Sequence, residues 1–275
     1  MSRTTLGSLL AAGLLAAALL WTPASRAQAQ GKAKGKGKAD AAPAVSVPHD
    51  PHDLAGVWRR SGGVLTMSAT PPPFTAWGKA KFDLTRPVYG PRAVQGGFGN
   101  DPMSTCDPLG MPRNLFLEVS IYNFEIVHAS DNAKRVYQFF EWAHSYRVIW
   151  TDGRALPKDP DPRWMGYSVG AWEGDTFVVR SLGFDERTWL DHFGNPVSDD
   201  MTLEERYRRL DRDTLELKMV ITAPKAYTQP WVSETKTLRL APPNVEQEEI
   251  FCVPTEEQRF NRQVRDPGSG ITNKQ

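Results

Sequence analysis

Three observations predict an all-β fold for this chain. Apolar and polar residues alternate between Tyr122 and Gly183 and again in two later stretches, which is the period of strands with one buried face. The 275 residues include 22 Gly, 22 Pro and 9 Trp, a composition that favours strands and turns. No helical crossovers separate the strands. The sequence therefore predicts an antiparallel meander that closes into a barrel of about 8–10 strands, because closure removes exposed edges.

The first 29 residues are predicted to be a cleaved signal peptide. A basic start at Arg3 precedes an apolar run from Leu6 to Trp21, and small residues follow up to Ala29. A membrane anchor is the weaker alternative, because the run is shorter than the ~20 residues that a spanning helix needs. Residues 30–48, rich in Gly, Lys and Ala, are predicted to be a disordered linker. A single barrel domain is expected over 49–262, followed by a flexible tail over 263–275.

The two cysteines, Cys106 and Cys252, are expected to form one disulfide. Export places the mature chain in the periplasm or outside the cell, where disulfides persist. Two free thiols, one of them catalytic, are the less favoured alternative because no Cys-His spacing supports them.

The N-terminal part of the barrel domain combines one strand, one helix and a long loop. Gly56 and Trp58 stand in the Gly-X-Trp pattern that resembles the opening of lipocalin-type barrels, so a first strand is expected there. Residues 72–82 place apolar side chains at helical spacing after prolines, which predicts a short helix. The surrounding residues 71–113 are dense in Pro and Gly, and such a long loop is typical of a lid or binding loop.

Regular strands are expected from Ile121 onward. Residues 135–151 are too many for one ordinary strand, and we expect a break near Ala143–Ser145. Glu173-Gly-Asp175 is a hairpin signal between two strands. The predicted strands cover 121–128, 135–142, 146–151, 164–172, 176–183, 203–209, 215–221, 231–240 and 248–253.

Several motifs resemble those of a large family of exported bacterial proteins of unassigned function. The resemblance implies export and a lipocalin-like β fold. One departure is Val197, at a place where such proteins often carry His, so any role of that histidine would be lost or altered here. The motifs are Cys106-X-Pro-X-Gly-X-Pro-Arg113, Glu141-X-X-His144-X-X-Arg147, Ser168-Val-Gly-X-Trp-Glu-Gly-Asp-Thr176 and Pro224-Lys-Ala-Tyr-Thr-X-Pro-Trp231.

One candidate catalytic pair is His144 with Glu141, three residues away, because a histidine beside a carboxylate can act as general acid or base. In an extended chain Glu141 and Arg147 would face away from His144, so a turn is needed to bring them together. The alternative, which we favour, is a structural His144 among aromatic residues and a cross-strand Glu141–Arg147 pair.

A second candidate lies in the loop 185–200. Asp191 and His192 are adjacent there, and a loop could bring their side chains together at a site. An aspartate that merely caps a turn is an equally good interpretation. Metal binding through His128, His144 and His192 is disfavoured, because no pair has metal-ligand spacing on a predicted helix.

The expected function is binding of a small, partly apolar or aromatic ligand in the barrel interior. The alternatives are a cofactor-independent lyase, isomerase or hydrolase, and an envelope interaction protein without a ligand pocket. The net charge of +1 gives no reason to expect nucleic acid or stable membrane insertion, no cofactor is expected, and the oligomeric state stays open. The candidate ligand-binding residues are Arg113, Tyr122, Trp142, Tyr146, Arg147, Arg154 and Trp189.

Overall fold

The computed structural model describes residues 48–63, 65–116, 123–130 and 134–271. The predicted signal peptide, nearly all of the predicted linker and the end of the predicted tail lie outside these ranges. The strands are β1 Gly56–Arg60, β2 Asn123–His128, β3 Arg135–Phe140, β4 Ser145–Trp150, β5 Tyr167–Glu173, β6 Thr176–Leu182, β7 Thr202–Asp211, β8 Thr214–Thr222, β9 Trp231–Val232 and β10 Lys236–Leu240.

Nine strands close into a barrel, which confirms the predicted all-β fold class. Strands β1 to β8 follow one another around the ring, and β10 closes it by pairing with both β8 and β1. Strand β9 adds a short pairing to the end of β8. The predicted strand over 231–240 is therefore interrupted at 233–235, where Ser233 N donates to Met219 O at 2.8 Å and Glu234 N donates to Met67 O at 2.9 Å.

One pair of neighbouring strands corrects the prediction that the whole meander is antiparallel. Strands β4 and β5 run parallel and are joined only by the pairs Ile149–Ser168 and Trp150–Val169. The Pro-rich segment 151–166 carries the chain back before β5 begins. A parallel pair needs such a long return connection, whereas a short turn makes an antiparallel one. This seam is the place where the barrel wall is held by the fewest backbone pairs between neighbouring strands of the ring.

The predicted break and hairpin are both present. Ala143 and His144 have φ of +52° and +47° between β3 and β4, which ends the extended run. Gly174, with φ of +59°, occupies the turn between Glu173 and Thr176, which pair across β5 and β6. At the start of β1, Gly56 has φ of +130°, a backbone conformation that favours glycine.

Large apolar side chains occupy the barrel interior. Alternate residues of β7 and β8 are buried, as their period-two sequence pattern predicts. Trp58 is fully buried, and its indole N–H donates to Leu54 O at 2.9 Å. Further buried side chains in this core are Phe124, Ile126, Phe140, Ile149, Phe177, Val179, Leu203, Tyr207, Leu217 and Met219.

A helix and the long loop cover the barrel on one side. Helix α1, Ala76–Leu84, begins at Thr75, whose side chain accepts from Gly78 N at 3.0 Å. This is the short helix that the sequence predicts, shifted toward the C-terminus. A Cβ on Gly78 would lie 2.0 Å from Ala226 O, so the glycine lets α1 dock directly on the backbone of 223–228. Three 3-10 turns, Gly96–Phe98, Pro102–Thr105 and Arg113–Phe116, complete the loop.

The C-terminal segment differs from its prediction. Residues 248–253 form no strand, and Ile250 makes only an isolated bridge to Trp142. Helix α2, Pro254–Phe260, follows directly. Helix α2 continues into π-helical turns, Asn261–Arg265, and a final helical turn, Asp266–Gly268. The tail that the sequence predicts to be flexible from residue 263 therefore starts within helical structure. Ser269 Oγ then accepts from Gly97 N at 2.7 Å, which ties the end of this stretch to the long loop. Among the described residues, no helix is long and apolar enough to cross a membrane.

A disulfide between Cys106 and Cys252 joins the long loop to the C-terminal segment, as the sequence predicts. Asn261 Nδ2 supports the same junction by donating to Ser104 O at 3.0 Å. The two half-cystines are 146 residues apart in sequence, so the bond encloses strands β2 to β10 in one covalent loop. Closing such a long loop restricts the unfolded chain strongly.

The Cys106→Ser/Cys252→Ser double variant is therefore expected to be less stable than the oxidised protein by about 2–5 kcal/mol. Urea unfolding followed by tryptophan fluorescence measures this difference. The wild-type protein with its disulfide reduced is the matched control and should unfold like the double variant. Equal midpoints for the oxidised protein and the double variant would contradict this role of the bond.

Candidate functional site

The loop after β6 is organised by the buried carboxylate of Asp191. Its Oδ1 accepts from Phe193 N at 3.0 Å and Asn195 N at 3.3 Å, and its Oδ2 accepts from Asn195 Nδ2 at 2.7 Å and from the Thr66 hydroxyl. The side chain is fully buried, and this burial raises the pKa of Asp191, although the donors partly offset the effect. Asp191 thus caps the turn around Gly194, whose φ is +83°, and fastens the loop to Thr66.

His192, the neighbour of Asp191, points to a different set of partners. Its Nδ1 accepts from Arg113 Nη2 at 3.0 Å. Arg113 is 1% exposed and pairs through two nitrogens with Asp101, at 2.9 and 2.5 Å. Burial, together with the adjacent Arg113 charge, lowers the pKa of His192 to about 2, so the imidazole is neutral in the folded protein. The pair Asp191–His192 therefore does not converge on one point, as an acid–base pair would have to.

Next to this loop lies a cavity of about 540 Å³, which we call the helix-side pocket. Its polar lining groups include Thr66, Ser68, Arg92 and Asn195. Thr66 and Asn195 are both bonded to Asp191, so the buried carboxylate fixes one wall of the pocket. The apolar side chains that line it include Leu65, Phe82, Tyr89, Pro91, Phe193 and Trp231.

The walls of the helix-side pocket are held by several further contacts. Trp231 Nε1 donates to Ser68 Oγ at 2.8 Å, which sets the orientation of the indole. Gly90, with φ of +78°, lies so close to the Phe193 ring that a Cβ there would be 2.5 Å from Cδ1. Asn195 is 4% exposed, and its Oδ1 accepts no hydrogen bond within the part of the chain that the structure describes. The pocket thus combines rigid apolar walls with a few polar atoms.

Arg147 lies inside the barrel and forms a buried ion pair. Its Nη1 and Nη2 donate to the two oxygens of Glu205, both at 2.8 Å, and its Nε donates to Gln138 Oε1 at 2.7 Å. Tyr207 completes the network by donating to Glu205 Oε1 at 2.8 Å. Burial alone would lower the pKa of Arg147, but the Glu205 carboxylate beside it raises that pKa overall. Burial and the same carboxylate raise the pKa of Tyr207.

A second cavity, of about 640 Å³, opens where β4 and β5 separate, and we call it the seam cleft. Three residues predicted to bind ligand line it: Tyr146, Arg147 and Arg154. Arg154 is partly engaged already, because it lies 3.5 Å from the Trp150 ring centre and pairs with Asp152 at 2.6 Å. Side chains that complete the lining include Trp150, Trp164 and Tyr167.

The structure does not bring His144 and Glu141 together through their side chains. Glu141 is 1% exposed, and its carboxylate accepts from Asn123 N at 2.7 Å, Asn123 Nδ2 at 2.8 Å and Glu248 N at 3.2 Å. His144 is exposed, with its ring 4.3 Å from that of Phe251. The cross-strand Glu141–Arg147 pair is wrong, because Arg147 faces the interior and bonds to Glu205. Glu141 instead anchors the C-terminal segment.

The remaining candidates are spread over the fold. Trp142 bridges to Ile250 near the C-terminal segment, and Trp189 lies 5.8 Å from the Arg113 guanidinium. Tyr122 lies outside the described residues. Val197 is 1% exposed and belongs to the apolar core, so a histidine in its place would enter apolar surroundings. In the ranges that the structure describes, no three His, Cys, Asp or Glu side chains form a group that could hold a metal.

Sequence reasoning located two of the loops that line the helix-side pocket, 71–113 and 185–200, but not its lining residues. The Pro- and Gly-rich segment 71–113, predicted to be a lid or binding loop, supplies Phe82, Tyr89 and Arg92. Tyr89 and Arg92 follow no periodic pattern, so their convergence with Phe82 depends on tertiary contacts. No family model, curated protein or solved structure matches this chain.

The buried neutral His192 predicts loss of stability in mild acid. The pKa of His192 is about 2 in the folded protein and near the ordinary 6.5 in the unfolded chain. Between these two values, acid protonates the His192 imidazole in the unfolded chain but not in the folded protein, which favours unfolding. Between pH 7 and pH 5 this linkage is expected to cost about 2 kcal/mol of unfolding free energy. Burial lowers the pKa of His128, which acts in the same direction, whereas the raised pKa of Asp191 acts in the opposite one.

A His192→Gln variant isolates the contribution of this imidazole. Urea unfolding at pH 7 and pH 5 should show that the stability gap between wild type and variant narrows by about 2 kcal/mol on acidification. If the difference in unfolding free energy between wild type and variant is the same at both pH values, His192 is not held neutral in the folded protein.

Proposed function

We propose that this protein is an exported β-barrel protein that binds a small, largely apolar or aromatic molecule in the helix-side pocket. The observation that carries the proposal is a cavity of about 540 Å³ with aromatic walls and few polar groups, which is the usual character of small-ligand sites. The pocket lies beside the barrel and not in its interior, where the sequence led us to expect the ligand. The core side chains and the Arg147–Glu205 pair already occupy that interior.

Export is supported by the N-terminal sequence and by the disulfide. A basic start, an apolar run and small residues are typical of a signal peptide. The Cys106–Cys252 bond is of the kind that persists in oxidising compartments outside the cytoplasm. A ligand-binding protein in such a compartment would meet its ligand in the periplasm or the surrounding medium.

Binding, not catalysis, is the function that the geometry favours. An acid–base mechanism needs a titratable group within reach of a bound molecule. His144 packs on Phe251 at the surface, and Glu141 is saturated by backbone and amide donors. Asp191 lies behind Thr66 and Asn195, whose side chains line the pocket while its own oxygens are engaged.

The neutral fluorescent probe N-phenyl-1-naphthylamine tests the location of binding. It is expected to bind the wild-type protein with enhanced fluorescence. Ala69→Trp places an indole in the lining of the helix-side pocket from an exposed position and should weaken binding at least about tenfold. The matched control is Ala155→Trp, at an exposed position that lines the seam cleft, which should bind the probe like wild type.

Three results would contradict the proposal. Weakening by Ala155→Trp alone would place the ligand in the seam cleft. No binding of the probe to the wild-type protein would favour an interaction protein without a ligand pocket. Equal weakening by both variants, at melting temperatures like that of wild type, would show that binding is not confined to the helix-side pocket.

A further inference from the structure

Arg92 is the charged side chain in the lining of the helix-side pocket, and it is held in a fixed position. Its Nη2 donates to Phe82 O at 2.9 Å and also to Thr85 O. Its guanidinium carbon lies 3.8 Å from the centre of the Phe82 ring. These contacts hold the guanidinium plane beside the cavity, so little rotamer freedom is left to lose when a ligand binds.

Arg92 caps the C-terminal end of α1, which accounts for its hydrogen bonds, but no negatively charged side chain among the described residues neutralises its guanidinium. Phe82 O and Thr85 O lie at the C-terminal end of α1, where carbonyls lack partners within the helix and a cation is favourable. Every acceptor of Arg92 among the described residues is a backbone carbonyl or the Thr85 hydroxyl, and none is a carboxylate. Two deeply buried arginines of the fold, Arg113 and Arg147, each have a bidentate carboxylate, whereas the half-buried Arg92 has none among the described residues.

The buried carboxylate of Asp191, behind one wall of the pocket, is not a partner of Arg92 either. Asp191 is fully buried, and its two oxygens accept from Thr66, Phe193 and Asn195. The pocket therefore presents one cation, apolar walls and no free carboxylate from the described residues that line it. An anionic group on the ligand would gain a charge-assisted hydrogen bond next to apolar walls, where such bonds are stronger than in water.

We infer that the ligand of the helix-side pocket is an amphipathic monoanion, with an aromatic or aliphatic body in the cavity and a carboxylate against Arg92. This inference rests on the proposed function and names the ligand class for the same site. A single guanidinium matches a single negative charge, whereas a dianionic phosphate would be left half compensated. The Phe82, Phe193 and Trp231 side chains provide the surface for the apolar body.

Two isosteric ligands, 2-naphthoate and 2-naphthamide, separate charge from shape. Isothermal titration calorimetry on the full mature chain should give an affinity for 2-naphthoate at least about tenfold higher than for 2-naphthamide. The advantage should shrink when salt is added, because the charge of the pair is partly exposed. Arg92→Gln should abolish the preference by weakening 2-naphthoate while leaving 2-naphthamide nearly unchanged.

Two further variants distinguish charge from capping. Arg92→Lys keeps the charge but not the planar fork, so it should retain part of the preference for 2-naphthoate. Arg86→Gln is the matched control, because Arg86 lies in the same loop and donates to Phe98 O at 2.8 Å, but it is exposed and outside the pocket lining. It should bind both ligands like wild type.

The inference is overturned if wild type binds the two ligands equally, or if Arg92→Gln weakens both to the same extent, which would mean that the residue only caps α1. It is also overturned if Arg86→Gln has the same effect as Arg92→Gln. If N-phenyl-1-naphthylamine binds but 2-naphthoate does not, the proposed function stands and the ligand class is wrong. If no probe binds, both fail together.

Discussion

The buried ion pair between Arg147 and Glu205 is the interaction on which the barrel depends most. It joins β4 to β7 across the interior, and Gln138 and Tyr207 satisfy further donors and acceptors of the same network. Charges in an apolar interior are tolerated only when they are paired and hydrogen-bonded, so each partner requires the other. The pair also lies beside the β4–β5 seam, where only two residue pairs hold the wall. The Arg147–Glu205 ion pair therefore ties β4 to the barrel at the place where β4 has few backbone hydrogen bonds to β5.

The described side chains that fill the barrel interior leave no room there for a ligand. A barrel of this size can hold one small ligand when its interior is empty, but here polar and apolar side chains pack it from Trp58 to Met219. Space for a ligand is instead found outside the ring, where α1 and two loops pack against the barrel. Asp191 fixes one side of that space and the end of α1 fixes the other. The barrel acts as a rigid support, and the loops form the candidate site.

The sequence predicted those features that follow from local patterning. Period-two alternation predicted β7 and β8, the Gly-X-Trp pattern predicted the first strand, and the cysteine count predicted the disulfide. The sequence did not predict the features that depend on contacts between distant parts of the chain. The parallel pairing of β5 cannot be read from its alternation, which is the same in either direction. Likewise Arg147 has a carboxylate near it in sequence, Glu141, yet it pairs with Glu205, 58 residues away. Arg92 carries no local signal at all, because its role comes from the fold around it.

A double-mutant cycle between Arg147→Met and Glu205→Leu tests the central claim most directly. The quantity measured is the unfolding free energy in urea for wild type, both single variants and the double variant. Each single variant is expected to lose about 3–5 kcal/mol, because it strands a buried charge, and the double variant should lose at least about 2 kcal/mol less than the sum. Additive losses would contradict the account, since the two side chains would then contribute to the barrel independently of each other.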